Sequence, residues 1–392
     1  MADSILSDDL INVLPEFRDL FQEIFNDNDS DEFEGYEMDD VEEIDHPFDA
    51  FAEENWRRGR LAETSTFTFT ADPGVTLEQN QRTHLDYFKE FVSEDIISTI
   101  VQETIRYAAD FLASHGTLPV HSRLRKWSPV SNNEMKAFLW MIIAMGLVTQ
   151  ANIQDYWSSD PVVSTLFFGT VMSRDRFLSI MSFLHHSDNN MALQRGQENY
   201  SPLQKLGSPY QKILENFERV YTPHQELAID KGMIPWRGNL HFRVYSPDKP
   251  TKYGIKVYML CDSANGYCSR LELFTGRECR PVPSEYGVTY DLLMRLIQPN
   301  LNKGYTLFTD NYFTSPHLYY NLYLNATLAC GTLRSNRKGV PRMLRETRPV
   351  EGNTVTFNNG VLTAVKFADK KDVYLLTTIH EGKMVPTGKR DY

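Results

Sequence analysis

"YTLFTDNYFTSP", Tyr305 to Pro316, is an apolar, β-branched and aromatic run that stops at one carboxylate, Asp310, followed by an asparagine, a hydroxyl pair and a proline. It reads as a strand that carries Asp310 to its end, after which Ser315 and Pro316 open a helix, "PHLYYNLYL". Upstream, "YGIKVYMLCDS" alternates in the same way, "SANG" supplies a turn and "YCSRLELF" alternates again. This pattern predicts an antiparallel hairpin with Asp262 at the end of its first strand. Between hairpin and strand, residues 290–299 set Leu292, Leu293, Leu296 and Ile297 on one side of a helix, and "LACGTLRS" and "DVYLLTTIH" supply further strands. The body is therefore mixed α and β.

Two carboxylates at strand ends are a recognisable chemistry. Hard divalent cations such as Mg²⁺ take oxygen ligands and retain waters and substrate phosphates, and metal ions held on a sheet this way activate the attacking and leaving oxygens of phosphodiester transfer. Strand-end aspartates also serve as turn formers and helix caps, so the pattern alone leaves both readings open.

Residues 83–224 carry a helical period instead. Ile97, Ile100, Val101, Ile105, Ala108 and Leu112 form a stripe that stops before Gly116. Ser131 and Glu134 make a capping box for "EMKAFLWMIIAMGL", apolar nearly all round and so expected inside a helical domain. Ser173 caps a third helix that buries Phe177, Ile180, Met181 and Leu184 and turns Arg174 and Arg176 outward.

The net charge of −12 divides unevenly: residues 1–60 hold 20 acidic against 4 basic side chains, −16, leaving +4 for the other 332. The stretch "NDNDSDEFEGYEMDDVEEIDH" has too few apolar residues to offset chain entropy and is expected to be disordered. Within this arm "PEFRDLFQEIF" sets Phe17, Leu20, Phe21 and Ile24 on one helical face, which suits a protein partner. No apolar run is long enough for a membrane span, and no leader pattern opens the chain, so an intracellular protein is expected. Cys261, Cys268, Cys279 and Cys330 match neither a disulfide framework nor paired zinc ligands and read as reduced, mostly buried thiols. The adjacent His185 and His186 lack a partner ligand and suit a core or surface role.

The blocks "IDKGMIPWRG", "SPDKPTKYGIKVYMLCDS", "YTLFTDNYFTSPHLYYNLY" and "GTLRSNRKGVP", in this order, resemble the piggyBac transposase family. The likeness extends upstream through "AFLWMIIAMGL", "YWSSDPVVSTLFF" and "MSRDRFLSIMSFLHHSDN", covering about 83–380. The resemblance implies an α+β fold: a ribonuclease-H-like mixed sheet, preceded by a helical dimerisation and DNA-binding domain and an acidic arm. The implied boundaries are 1–75 for the disordered arm, 76–245 for the helical domain and 246–392 for a C-terminally incomplete catalytic core with a β-rich insertion. It further implies aspartates that bind Mg²⁺ or Mn²⁺ and drive nicking, hairpin formation and joining at TTAA targets, with Asp262 matching the first catalytic and metal-binding position and Asp310 the second. The family's third aspartate is expected in a Gly-Val-Asp element after "DVYLLTTIH"; the residues up to Tyr392 do not contain it, and Asp391 is not assigned the role. With Lys231 following it, Asp230 reads as structural.

The same resemblance implies DNA as the partner. "RSNRKGVPRMLRETR" carries Arg334, Arg337, Lys338, Arg342, Arg345 and Arg348 against Glu346, a local +5 suited to phosphate, and Lys249, Lys252 and Lys256 extend the surface. A homodimer acting in the nucleus, without a zinc site, is expected. The alternatives to a transposase are a catalytically inactive, domesticated DNA-binding or regulatory protein and a decayed relic.

Overall fold

The computed structural model describes residues 53–61, 66–78, 81–116, 118–236, 238–247, 249–276 and 282–382. The acidic stretch expected to be disordered and the helix expected near Phe17 to Ile24 lie outside them.

Among these residues the strands are β1 (Arg57–Arg58), β2 (Gly74–Val75), β3 (Tyr221–Thr222), β4 (Glu226–Pro235), β5 (Val244–Tyr245), β6 (Tyr253–Asp262), β7 (Cys268–Leu273), β8 (Thr306–Thr309), β9 (Leu328–Thr332), β10 (Thr354–Asn358), β11 (Thr363–Phe367) and β12 (Val373–Thr377). The centre of the main sheet runs β7-β6-β4-β8-β9. In it β4, β8 and β9 are parallel, and β6 runs antiparallel to β4 and to β7. This is the ribonuclease-H-like mixed sheet of an α+β fold. Beyond β9 the sheet continues as an antiparallel meander, β12, β11, β10 and β1.

Parallel neighbours require a crossover, and the helix Pro316–Leu324 provides it between β8 and β9. Its N-cap is Ser315, whose hydroxyl accepts from the Leu318 N–H, with Pro316 in the first turn. Leu318, Tyr319 and Leu322 of this helix and Leu292, Leu293, Leu296 and Ile297 of the helix Val288–Ile297 are buried with Leu227, Ile229, Leu260 and Leu307 of the central strands.

The helical unit has its own core. Helices Glu94–Ser114, Asn132–Leu147 and Arg174–Phe183 bury Ile96, Ile97, Ile100, Met135, Phe138, Phe177 and Ile180 together. The capping box of Ser131 and Glu134 and the N-cap of Ser173 form as expected. Two expectations fail here. The helix Asn132–Leu147 is not an interior helix, since Met135, Phe138, Met141 and Ala144 are buried but Trp140 is 55% and Leu147 84% exposed. Arg176 does not face out: it binds the Glu134 carboxylate and the carbonyls of Ser128 and Pro129 and lies over the Trp127 ring.

Boundaries also move. Residues expected within the disordered arm are laid on the core, where Trp56 is 3% exposed, β1 pairs with β10, and Phe69 meets Tyr305 edge-on at 5.0 Å. The strand β4, counted with the helical domain by position, forms the middle of the main sheet. The hairpin β10–β11 adds two strands beyond those expected from the sequence.

Candidate active site

The register decides which carboxylates meet. Strands β4 and β8 run parallel with Leu227 opposite Leu307 and Ile229 opposite Thr309, so the next residue on each is Asp230 and Asp310. Neighbouring strands are about 4.8 Å apart, which sets the two side by side where β8 ends. Carboxyl ends of parallel strands are where α/β sheets receive ligands.

Asp262 does not join them. It pairs with Leu227 at the opening of β4, on the strand beyond, and from there the offset to Asp310 is three residues along and two strands across. With about 3.3 Å per residue and 4.8 Å per strand, the separation is roughly 14 Å, too far for one cation. The expectation that Asp262 is the first catalytic and metal-binding aspartate is therefore corrected: β6 is antiparallel to β4, so its carboxyl end points the opposite way. Asp262 is fully buried and accepts from the Tyr221 hydroxyl at 2.7 Å, the His224 N–H at 3.0 Å, the His224 ring Nδ1 at 2.8 Å and the Ala264 N–H at 2.8 Å. Burial alone would raise its pKa, but the bonds from His224, Tyr221 and Ala264 outweigh it and hold it down to about 2. Its role is to tie the segment entering β4 to the β6–β7 turn.

Asp310 is held differently. Its backbone carbonyl accepts from the Phe313 and Thr314 N–H groups and the Thr314 hydroxyl, and its Oδ1 accepts from the Tyr312 N–H at 3.1 Å. Beneath, the Thr309 hydroxyl joins those of Thr314 at 2.6 Å and Tyr319 at 2.8 Å. Gly331 on β9 makes room for this cluster, because a Cβ there would meet the Thr309 carbonyl at 2.3 Å and the Tyr319 hydroxyl at 2.5 Å. Asp230 is exposed, and its Oδ1 accepts from the Lys231 N–H at 2.7 Å.

A cation stands beside one of the two carboxylates. The Lys231 Nζ lies 3.9 Å from Asp310 Oδ2 and 4.3 Å from the Tyr312 ring centre, with its side chain only 12% exposed. Lys256, 7% exposed, lies 5.1 Å from the same Tyr312 ring and is a packing residue rather than part of a surface. Asp230 and Asp310 each keep an oxygen free of a backbone donor, which fits two ligands to a hard cation with waters and phosphates completing its shell. No group of three or more His, Cys, Asp or Glu side chains with metal-site geometry occurs among the described residues.

The expected DNA contacts divide. β9 runs parallel to β8, so the segment following Thr332 leaves the sheet at the Asp310 end. Arg342, Arg345 and Arg348 are exposed there, Arg342 paired with Glu346 at 2.6 Å, and Arg334 and Lys338 are half-buried. Arg337 is corrected: at 8% exposure it donates to the carbonyls of Asn311 at 3.0 Å and Tyr312 at 2.8 Å and so secures the turn after Asp310. Lys252 is exposed and Lys249 half-buried before β6, next to the end of β4.

A family model described as "Transposase IS4" matches residues 83–391. The human PiggyBac transposable element-derived protein 3 is 26% identical over 262 residues, 65% of this chain and 40% of that protein. The human PiggyBac transposable element-derived protein 2 is 23% identical over 278 residues, 68% of this chain and 43% of that one. A cryo-EM structure of the piggyBac transposase synaptic complex with hairpin DNA superposes with a TM-score of 0.69 and 27% identity, over 81% of this chain and 65% of that chain. The chain thus spans about two fifths of the length of these human relatives. With the family match over more than three quarters of its length and the sheet order described above, the chain belongs to the piggyBac-type transposase family.

Proposed function

We propose that this protein binds DNA ends and supports divalent-metal-dependent strand cleavage and transfer at TTAA sites, acting in the nucleus as a homodimer. The observation that carries the reading is the side-by-side arrangement of Asp230 and Asp310 at the sheet end where the Arg334–Arg348 segment emerges. In that arrangement the two carboxylates hold Mg²⁺ or Mn²⁺, and Arg345, Arg348 and Lys252 take the phosphates. A bound cation supplies an activated water and neutralises charge developing on the phosphate. The Thr309, Thr314 and Tyr319 hydroxyl cluster fixes the turn that aims Asp310, while Arg337 fastens the same turn from the other side. The homodimer is supported by the open apolar face of the helix Asn132–Leu147, where Trp140, Ile143 and Leu147 are exposed. DNA in complex with the piggyBac transposase supports DNA as this chain's partner.

Nicking of a TTAA-flanked DNA end by the purified 392-residue chain with Mg²⁺ or Mn²⁺ tests this, alongside Asp230→Ala and Asp310→Ala. Metal-dependent nicking lost in both variants is expected; nicking retained in either would sink the assignment of that residue.

A second reading is DNA binding without cleavage, and Lys231 favours it. An ammonium at Asp310 neutralises one of the two carboxylates and competes with a divalent ion for it. Retarded DNA mobility with no metal-dependent nicking would select this reading.

A further inference from the structure

Outside the carboxylate site, one pair of reactive side chains is brought together by the fold. Cys261 and Cys268 are direct partners across the β6–β7 hairpin, and both are free and half-buried. Their register follows from a bulge at Leu260 and Cys261, where Ser269 is the extra residue and its hydroxyl donates to the Leu260 carbonyl at 3.1 Å. Partners across an antiparallel pair have Cα atoms about 4.5–5.5 Å apart, inside the roughly 4.4–6.8 Å that a disulfide spans. The Cys268 thiol donates to the Arg270 carbonyl at 3.3 Å. On β4, Ala228 stands opposite Cys261 and Asp230 opposite Met259, which sets Cys261 on the same sheet face as Asp230.

We propose that Cys261 and Cys268 form a redox-active dithiol that closes to a cross-strand disulfide when it meets a low-molecular-weight disulfide. Cys261 attacks. The Cys268 thiol is engaged as a donor to the Arg270 carbonyl at 3.3 Å and keeps its proton there, which leaves Cys261 to attack first as its thiolate. The Cys261 thiolate displaces one thiolate from the small disulfide, giving a mixed disulfide. Cys268 then gives its proton to water and attacks the Cys261 sulfur, breaking the mixed disulfide and releasing the second thiolate. Two protein thiols lose two electrons and two protons, and the small disulfide is reduced to two thiols. The inference is independent of any metal at Asp230 and Asp310.

The test is an oxidised-to-reduced glutathione titration of the 392-residue chain, followed by alkylation of remaining thiols and mass analysis. Trypsin leaves both cysteines in one peptide, residues 257–270. That peptide is expected to lose both alkylation sites and two hydrogens, and to do so at a lower oxidant ratio in the native protein than in urea, since the register holds the thiols together. Cys268→Ser is expected to stop at a glutathione adduct on Cys261, and Cys261→Ser to leave Cys268 alkylated. Full alkylation of both cysteines at oxidising ratios, pairing with Cys330 or Cys279 instead, or equal ratios in native and unfolded chains would each overturn the proposal.

Discussion

Lys231 Nζ stands 3.9 Å from Asp310 Oδ2, one strand away. Both are anchored: Lys231 by its contact with the Tyr312 ring, Asp310 by the Tyr312 N–H. Replacing this ammonium changes the affinity of the carboxylate pair for a divalent ion. Lys231→Glu is expected to tighten Mn²⁺ binding roughly tenfold or more, about 1.4 kcal/mol or above, with Lys231→Met giving a smaller gain in the same direction. Calorimetric titration with Mn²⁺ reads this without any turnover, and Asp310→Ala in the Lys231→Glu background should abolish the gain. Unchanged affinity in Lys231→Glu would show that the lysine does not compete.

Asp262 should behave as a stability residue. Removing a buried carboxylate that satisfies Tyr221, His224 and Ala264 leaves these donors unpaired, and Asp262→Ala is expected to cost about 2–4 kcal/mol in denaturant unfolding. Asp310→Ala, on a half-exposed turn, should cost less than about 1 kcal/mol. The pH dependence has a fixed sign. Because the folded pKa of Asp262 is held to about 2 against an ordinary 3.8, its contribution of about 2 kcal/mol is present above pH 4 and lost as pH falls toward 2. Equal destabilisation by the two alanine variants would contradict this division of roles.

The helical unit carries a second pH response. His185 is 6% exposed, stacked on Tyr107 at 3.5 Å, with Nδ1 facing the Phe183 carbonyl and Nε2 facing the Asn189 amide. Burial pushes its pKa down to about 4 from 6.5, and burial lowers His186 too. An unfolded chain therefore binds protons that the folded one refuses, and stability falls as pH drops from 6.5 to 4, by about 3 kcal/mol for His185 alone. Urea midpoints followed by helix signal should decline through that window, and His185→Phe should flatten the decline.

Which parts of this were legible in the sequence follows from the length scale of each signal. Caps, turns and apolar stripes are local, so Ser131 with Glu134, Ser173, Ser315 with Pro316 and the hairpin ending at Asp262 could be read directly. Strand direction is not local. Asp262 and Asp310 both end apolar runs, yet only the sheet order reveals that β6 enters from the opposite side and that Asp230, in mid-strand, is the neighbour of Asp310. The alternation of Leu227, Ile229, Lys231 and Met233 did signal β4, but a lysine on the core-facing register and Gly232 beside it masked the pattern. Arg176 and Arg337 mislead for a related reason: composition gives their charge, while their carbonyl and carboxylate partners come from remote segments.

Two arginines in one basic segment should consequently part company. Arg345 is exposed and free to meet phosphate, so Arg345→Ala is expected to weaken binding across DNA sequences and lower the slope of log affinity against log salt by about 1. Arg337 spends its guanidinium on the Asn311 and Tyr312 carbonyls. Its loss leaves the carbonyl of buried Tyr312, and that of Asn311 beside it, without their charged donor, a cost of about 1.5–3 kcal/mol to folding. Arg337→Ala should then lower the unfolding midpoint with the salt slope intact, and should disturb the turn that aims Asp310. A salt series on both variants, with their unfolding curves measured in parallel, separates the two roles. A reduced salt slope with unchanged stability in Arg337→Ala would return that residue to the DNA surface.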